Sequence, residues 1–366
     1  MKVTVSRQKL VALIGKIQNV VPSKPATPVL ANILIEAVND QLIISATDLT
    51  VSMRVYMEAE VHKEGSIALP ARKFFQLVRE LTAPQVEIHT SSPEIATVNA
   101  GSSHFKVHGM RKNEFPELPD LSEGVQFSIG CTLLKEMLSR SSFAAARDDS
   151  RQVINGVLLQ NSNQTATFIG TDGKRLAKIH STVELPPEFQ GSHIIPIKAV
   201  EEMVRVLDSK EEDLAKITLM HDKIAIDLPS TTLITKLLSG QFPDVARIIP
   251  EEREQFISLH REELMSLLRQ VSLFTPDTGS SVRFSFTTGE LHLSAAAGEI
   301  GEGKVNMPVN YAGEKLEIAF NPHFFLDFLR HSKDETVKFS VSDSYNPGLI
   351  TDSSTAQFVI MPMRLE

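Results

Sequence analysis

One strand-and-helix pattern occurs three times in this chain of 366 residues, at a period of about 125, and this repeat restricts the possible folds more than any other feature. The copies read VTVSRQKLVALIGKI from Val3, FSIGCTLLKEMLSRS from Phe127 and ISLHREELMSLLRQV from Ile257. In each, the last strand residue (Val5, Ile129, Leu259) lies five places before a helix leucine (Leu10, Leu134, Leu264). The apolar offsets then continue at Leu13 and Ile14, Met137 and Leu138, and Leu267 and Leu268, the spacing of a helix with one buried face. A second unit follows in each copy: IALPARKFFQLVREL from Ile67, IIPIKAVEEMVRVL from Ile194 and IAFNPHFFLDFLRHS from Ile318. There a strand meets a Pro or Asn at the helix start, where a missing N–H costs nothing. Alternating strand candidates with turn residues at the bends fill the space between. The expected architecture is α+β: three tandem domains, each with two helices on antiparallel sheet. The expected limits are 1–122, 123–252 and 253–366. The Pro-containing segments 113–120 (NEFPELPD) and 240–250 (GQFPDVARIIP) serve as linkers that cannot continue a strand.

Charge adds a constraint that overall composition hides. With 37 Lys plus Arg against 45 Asp plus Glu, the net charge is −8, which by itself argues against a nucleic-acid partner. Helical geometry distributes the cations unevenly. On the second helix of copy one, Phe74, Leu77, Val78 and Leu81 mark the core face, while Arg72 and Arg79 point away from it. Copy two places Lys198 and Arg205 in the same two positions, seven residues apart, and copy three has His323 and Arg330. The first helices add Lys9 and Lys16, Arg140 and Arg269 on a flank, and Lys24 follows helix one. One helix surface is thus expected to be positive in an acidic chain. With no Trp and three Tyr it lacks the stacking platforms that single strands need, and duplex phosphate suits it better. No helix carries an Arg, Asn and Gln cluster able to read bases, so binding should be independent of sequence.

Catalytic patterns are missing. GTDGKRL at 170–176 lacks the spacing and the hydroxyl of a phosphate loop, and His104 and His108 have no third ligand nearby. No metal, cofactor or enzymatic activity is expected. A single cysteine, Cys131, excludes an internal disulfide and agrees with a cytoplasmic location. No apolar stretch approaches the roughly 18 residues of a membrane helix.

The opening MKVTVSRQKL, the PARKFFQLV helix, TDGKRLA, KLLSGQFPD and the terminal VIMPMRL together resemble the bacterial DNA polymerase III beta subunits, the replicative sliding clamps, over the whole chain. That resemblance implies a head-to-tail homodimeric ring around duplex DNA, with Lys24, Arg72, Arg79, Lys198, Arg205 and Arg330 facing it. Helix geometry is compatible: twelve helices at roughly 10 Å each describe a circle roughly 38 Å across, leaving about 28 Å for a duplex. The edge strand containing Phe105 should meet the region around Arg269 and Leu273 of the other copy. The resemblance also implies a cleft for short peptides of the polymerase III alpha subunit, clamp loader and repair proteins. It would be formed by Ile154, Thr171, Gly173, Lys174, Arg175, Leu176, Pro243, Arg247, Ile248, Val359, Met361, Pro362, Met363, Arg364 and Leu365. Gln152 and Val153 stand where related clamps often carry aromatic residues.

Overall fold

The computed structural model describes residues 1–121, 124–162, 164–186, 188–207, 214–250, 256–276, 279–298 and 300–364. The expected domain limits at 122/123 and 252/253, and Leu365 of the expected cleft, lie outside the described residues. The chain divides into two compact units. The first comprises Met1–Lys135, Leu185–Phe189 and Lys198–Leu237, and the second Glu136–Glu184, Gln190–Ile197 and Leu238–Glu366. The middle repeat is therefore shared between them.

Among the described residues, six α-helices form where the apolar offsets place them: α1 Arg7–Ile17, α2 Ala71–Glu80, α3 Cys131–Ser142, α4 Ile197–Val206, α5 Arg261–Ser272 and α6 Pro322–His331. Their starts are chemically marked. Ser6 accepts a hydrogen bond from Lys9 N in α1, His260 from Glu263 N in α5, and Asn321 from His323 N in α6, each occupying a backbone donor that the first turn leaves free. Every helix carries a base in its last turn, Lys16, Arg79, Arg140, Arg205, Arg269 and Arg330, where the negative end of the helix dipole lies. Such a placement contributes about 0.3–1 kcal/mol. Leu10, Ile14 and Ile17 of α1, Phe74 and Val78 of α2, and Phe325, Phe328 and Leu329 of α6 are fully buried.

The sheets join consecutive repeats. In the first unit, an eight-stranded antiparallel sheet runs through Val125–Gly130, Leu214–Leu219, Lys223–Leu228 and Thr231–Lys236 of repeat two, then through Val51–Glu58, Gln41–Thr47, Asn32–Val38 and Gly65–Pro70 of repeat one. Its seam pairs Thr231 with Val55 through Thr235 with Val51. The second unit repeats the plan. Gly191–Pro196, Gly156–Ser162, Thr165–Thr171 and Arg175–Thr182 of repeat two join Gln357–Ile360, Gly348–Thr351, Thr336–Ser340 and Ile257–His260 of repeat three, with a seam from Arg175 opposite Ile360 to Lys178 opposite Gln357. A five-stranded sheet ending in Ser103–His108 completes the first unit, and a four-stranded sheet ending in Gly301–Pro308 completes the second.

The two linkers contain no strand, as their prolines require, but both bury aromatic side chains. Phe115 packs with Val29, Leu30, Leu34 and Ala68. Phe242 and Val245 pack with Leu158, Ile169, Leu176, Ile194 and Val359, sealing the sheet face of the second unit.

Candidate functional site

On the helix faces of the first unit, Arg72 and Arg79 are exposed on α2, and Lys24 is exposed beyond α1. Arg79 lies 5.6 Å from the centre of the Phe75 ring. The cations of α4 are differently placed. Lys198 is ion-paired with Asp48 and donates to Val20 O at 3.3 Å. Arg205 is paired with Glu202, a carboxylate buried to 3% exposure. Burial pushes the Glu202 carboxyl up, against the pull of Arg205 and Lys198. In the second unit, Arg330 of α6 is exposed and donates to Asp327 Oδ1 at 2.9 Å. Lys9, Lys16 and Arg269 are exposed as expected.

Arg140 departs from expectation. It is 4% exposed, ion-paired with Asp352 and, at 3.4 Å, with Glu136, and it lies over the Phe358 ring. Burial pushes the Asp352 carboxyl up, but hydrogen bonds from Ser354 and Ser332 and the Arg140 charge more than offset this and hold it below its ordinary range. Helical geometry assigned Arg140 to a flank because its partner is 212 residues away in sequence.

The residues expected to form the cleft all lie in the second unit. Leu176 and Val359 sit opposite each other across the seam, and with Ile154 they form a buried apolar floor. Beside them a tight turn is held by Asp172 Oδ1, which accepts from Lys174 N at 2.9 Å and Arg175 N at 3.0 Å. Thr171 Oγ1 donates to Arg175 O at 2.7 Å and accepts from Gly173 N at 3.1 Å. Gly173 has φ 84°, the left-handed region that favours glycine. Pro243, Arg247 and Ile248 of the second linker are exposed, with Arg247 paired to Asp244 at 3.0 Å.

The C-terminal segment crosses between two sheets. Strand pairing ends at Ile360; Met361 N then donates to Lys174 O at 3.0 Å and Met363 N to Ala319 O at 2.7 Å, with Pro362 between them. Met361 and Ile248 remain exposed beside the buried floor. Adaptable apolar side chains over a fixed floor are suited to binding several different linear peptides. Arg364 is exposed.

Arg175 belongs to the framework of this cleft rather than to its surface. Its side chain is 14% exposed, donates to Asp327 at 2.7 Å and to Phe143 O at 2.8 Å, and stacks over Phe324 at 4.6 Å. A cavity of about 650 Å³ under the linker, lined by Leu158, Ile169, Ile194, Phe242 and Lys178 among others, adjoins the floor and was not foreseen. Period-two alternation carries the signal: Lys178 shares a sheet face with Leu176.

The terminal sheets expose apolar side chains at their ends. Phe105 lies on the outer strand Ser103–His108, while Leu273 at the end of α5 is 73% exposed and Ile300 is exposed beside the outer strand Gly301–Pro308. Among the described residues, no three His, Cys, Asp or Glu side chains come together to hold a metal ion.

Known proteins share this arrangement throughout. Residues 1–119, 128–244 and 246–364 match, in order, the N-terminal, central and C-terminal domain families of the DNA polymerase III beta subunit. The beta sliding clamp of Chlamydia muridarum is 53% identical over 365 residues, covering 100% of this chain and 99% of its own. That of Haemophilus influenzae is 30% identical over 369 residues, covering 100% of both. Among solved structures, a Pseudomonas aeruginosa DNA polymerase sliding clamp superposes with a TM-score of 0.93 at 29% identity. A Bartonella birtlesii sliding clamp bound to griselimycin does so with a TM-score of 0.95 at 29%, and both comparisons cover 100% of each chain. With three tandem α+β domains and every repeat matched, the chain belongs to the DNA polymerase III beta subunit family, the DNA sliding clamps that act as processivity factors in replication.

Proposed function

We propose that two copies of this chain close head to tail into a ring around duplex DNA, and that the cleft of the second unit tethers polymerase and other replication and repair proteins by short peptides. The observation that carries the ring is the pattern of the sheets. At each internal seam, the fourth strand of one four-strand half pairs with the third strand of another. The same two halves remain unjoined at the ends, one with Ser103–His108 on its edge and one with Gly301–Pro308. Antiparallel pairing of these edges between copies repeats the internal seam, and a heterologous contact whose rotation closes yields a ring. The exposure of Phe105 on one side and of Leu273 and Arg269 on the other supports this contact.

The DNA-facing set is then Lys24, Arg72, Arg79, Lys198, Arg205 and Arg330, acting on phosphate without reading sequence. The peptide cleft comprises Ile154, Thr171, Gly173, Lys174, Leu176, Pro243, Arg247, Ile248, Val359, Met361, Pro362, Met363, Arg364 and Leu365, with Arg175 supporting it from below. The proposed partners are a second copy of the chain, the polymerase III alpha subunit, the clamp loader and repair proteins. Domain limits fall at 122/123 and 252/253, and the protein is proposed to work without catalysis or cofactor in the cytoplasm. Among the described residues, no helix is long and apolar enough to cross a membrane.

Three measurements test this reading. Solution mass should be about 80 kDa, twice the 40.4 kDa of one chain; a strict monomer overturns the ring. Once loaded by a clamp loader, the protein should stay on circular plasmid and leave linearised plasmid; equal retention overturns encirclement. Deleting Met361–Leu365 should abolish binding of a polymerase-tail peptide while the dimer persists.

A further inference from the structure

The second helices of the three repeats, α2, α4 and α6, align in sequence residue by residue: Arg72, Lys198 and His323 at the first outward position, Arg79, Arg205 and Arg330 at the last. Three residues before that last arginine stand Gln76, Glu202 and Asp327. The two acids are each bonded to the arginine one turn on, Glu202 to Arg205 and Asp327 to Arg330 at 2.9 Å. Gln76 places an uncharged amide at the same position, and Arg72 and Arg79 have no carboxylate partner among the described residues. The first outward position shows the same order. Arg72 is exposed and has no ion-pair partner among the described residues, Lys198 is paired with Asp48, and the third repeat has an imidazole in place of a stronger base.

We infer that the first repeat supplies most of the phosphate grip, and that Glu202 and Asp327 act as positioning residues that attenuate the grip of the second and third. This rests on the DNA-facing reading above and deepens it. A cation already hydrogen-bonded to a carboxylate forms a pair of no net charge, and phosphate must compete for it. Only the unpaired guanidinium contributes a full unit to the counterions released on binding. A clamp built this way grips from one part of its inner face and glides over the rest, which lowers the barrier between successive phosphate registers.

The experiment is binding of the full-length chain to a short fluorescent duplex between about 50 and 200 mM salt, read as the slope of log affinity against log salt. Gln76→Glu adds the missing acid on an exposed helix position where folding is not at stake. It should reduce the slope by about one per chain, a change of roughly three- to four-fold in the salt sensitivity of affinity over that range. Glu202→Gln should raise the slope by a similar amount. The Arg72→Glu, Arg79→Glu double variant should lose most of the slope, and the Lys198→Glu, Arg205→Glu double variant much less. Equal losses from the two double variants, or an unchanged slope in Gln76→Glu, overturn the inference while leaving the ring intact. Absence of salt-dependent duplex binding in the unaltered chain, together with failure to remain on circular plasmid, overturns the DNA reading itself.

Discussion

The seams inside this molecule and the edges at its ends are made of equivalent strands with opposite fates. At the first seam, Leu233 faces Met53 and Thr231 faces Val55, and Leu233, Met53 and Val55 are fully buried. On the equivalent end strand Ser103–His108, His104, Phe105, Lys106 and His108 are all exposed. An open edge presents unpaired backbone donors and acceptors, a template for association that monomeric proteins blunt with charge or prolines. Here Lys106 and the imidazoles of His104 and His108 flank an exposed phenylalanine, and this edge is the one the proposed ring pairs. The difference teaches that the repeat unit is half a sheet wide and out of step with the domain: the middle repeat lends one half to the first repeat and one to the third, and each outer repeat keeps one half to itself.

The strongest test of that lesson is to damage the first seam. Leu233→Ala removes a fully buried side chain between two repeats and should cost about 2–5 kcal/mol of stability in urea titration, with a fall in midpoint. A loss within experimental error would mean the seam is a contact surface and not a shared core. At the second seam, Arg175 begins the pairing opposite Ile360 and anchors it through Asp327 and Phe143 O. Arg175→Ala should lower stability by about 1.5–3 kcal/mol, as expected for loss of charged hydrogen bonds. Arg247→Ala, whose side chain is exposed, should leave stability unchanged and alter only peptide binding. If Arg175→Ala loses peptide affinity at full stability, the arginine belongs to the cleft surface after all.

At the end edges the expected effect falls on assembly instead. Phe105→Glu should leave the subunit's urea midpoint unchanged and weaken dimerisation by roughly ten-fold or more, as for an interface aromatic worth over 1 kcal/mol. Sedimentation at decreasing concentration reads this directly. A variant that stays dimeric to the same dilution removes the edge from the interface.

These tests also separate what was legible in the sequence from what was not. The six helices, their buried faces and the outward positions of Arg72, Arg79, Arg205 and Arg330 follow from local periodicity and a rigid rise per residue, and all appear as expected. The cleft floor was legible only through resemblance, because Leu176 and Val359 meet by a pairing that no local rule encodes. The same blindness hid the ion pairs. Arg140 finds Asp352 on the far side of two repeats, and Lys198 finds Asp48 150 residues back, so a helical wheel shows neither as neutralised. Glu202 was the subtler miss. Its i,i+3 spacing to Arg205 was visible, but its burial was not, and burial is what makes the pair matter.

The smallest expected effect distinguishes the two seams by pH. His331 of α6 stacks on Phe143 at 4.5 Å, and Phe143 in turn stacks on Phe358 of the second seam. Burial lowers the His331 pKa below its ordinary value; its bond to Asp327 O and the Asp327 charge oppose this, and the Arg140 and Arg330 charges add to it. A histidine with a lowered pKa binds protons more readily when unfolded, so its contribution to stability is complete above the unfolded value of about 6.5 and is lost as pH falls through the folded one. His331→Phe keeps the stacking and removes the titration. Thermal melting should therefore drop more steeply between about pH 7 and 5 for the unaltered chain than for the variant, a window that brackets the unfolded histidine. Hydrogen exchange over that window should accelerate at the amides of Arg175–Lys178 in the second seam and not at those of Leu233–Thr235 in the first. Parallel melting curves, or exchange that quickens equally at both seams, would show that the ring of His331 titrates without consequence for the seam it rests against.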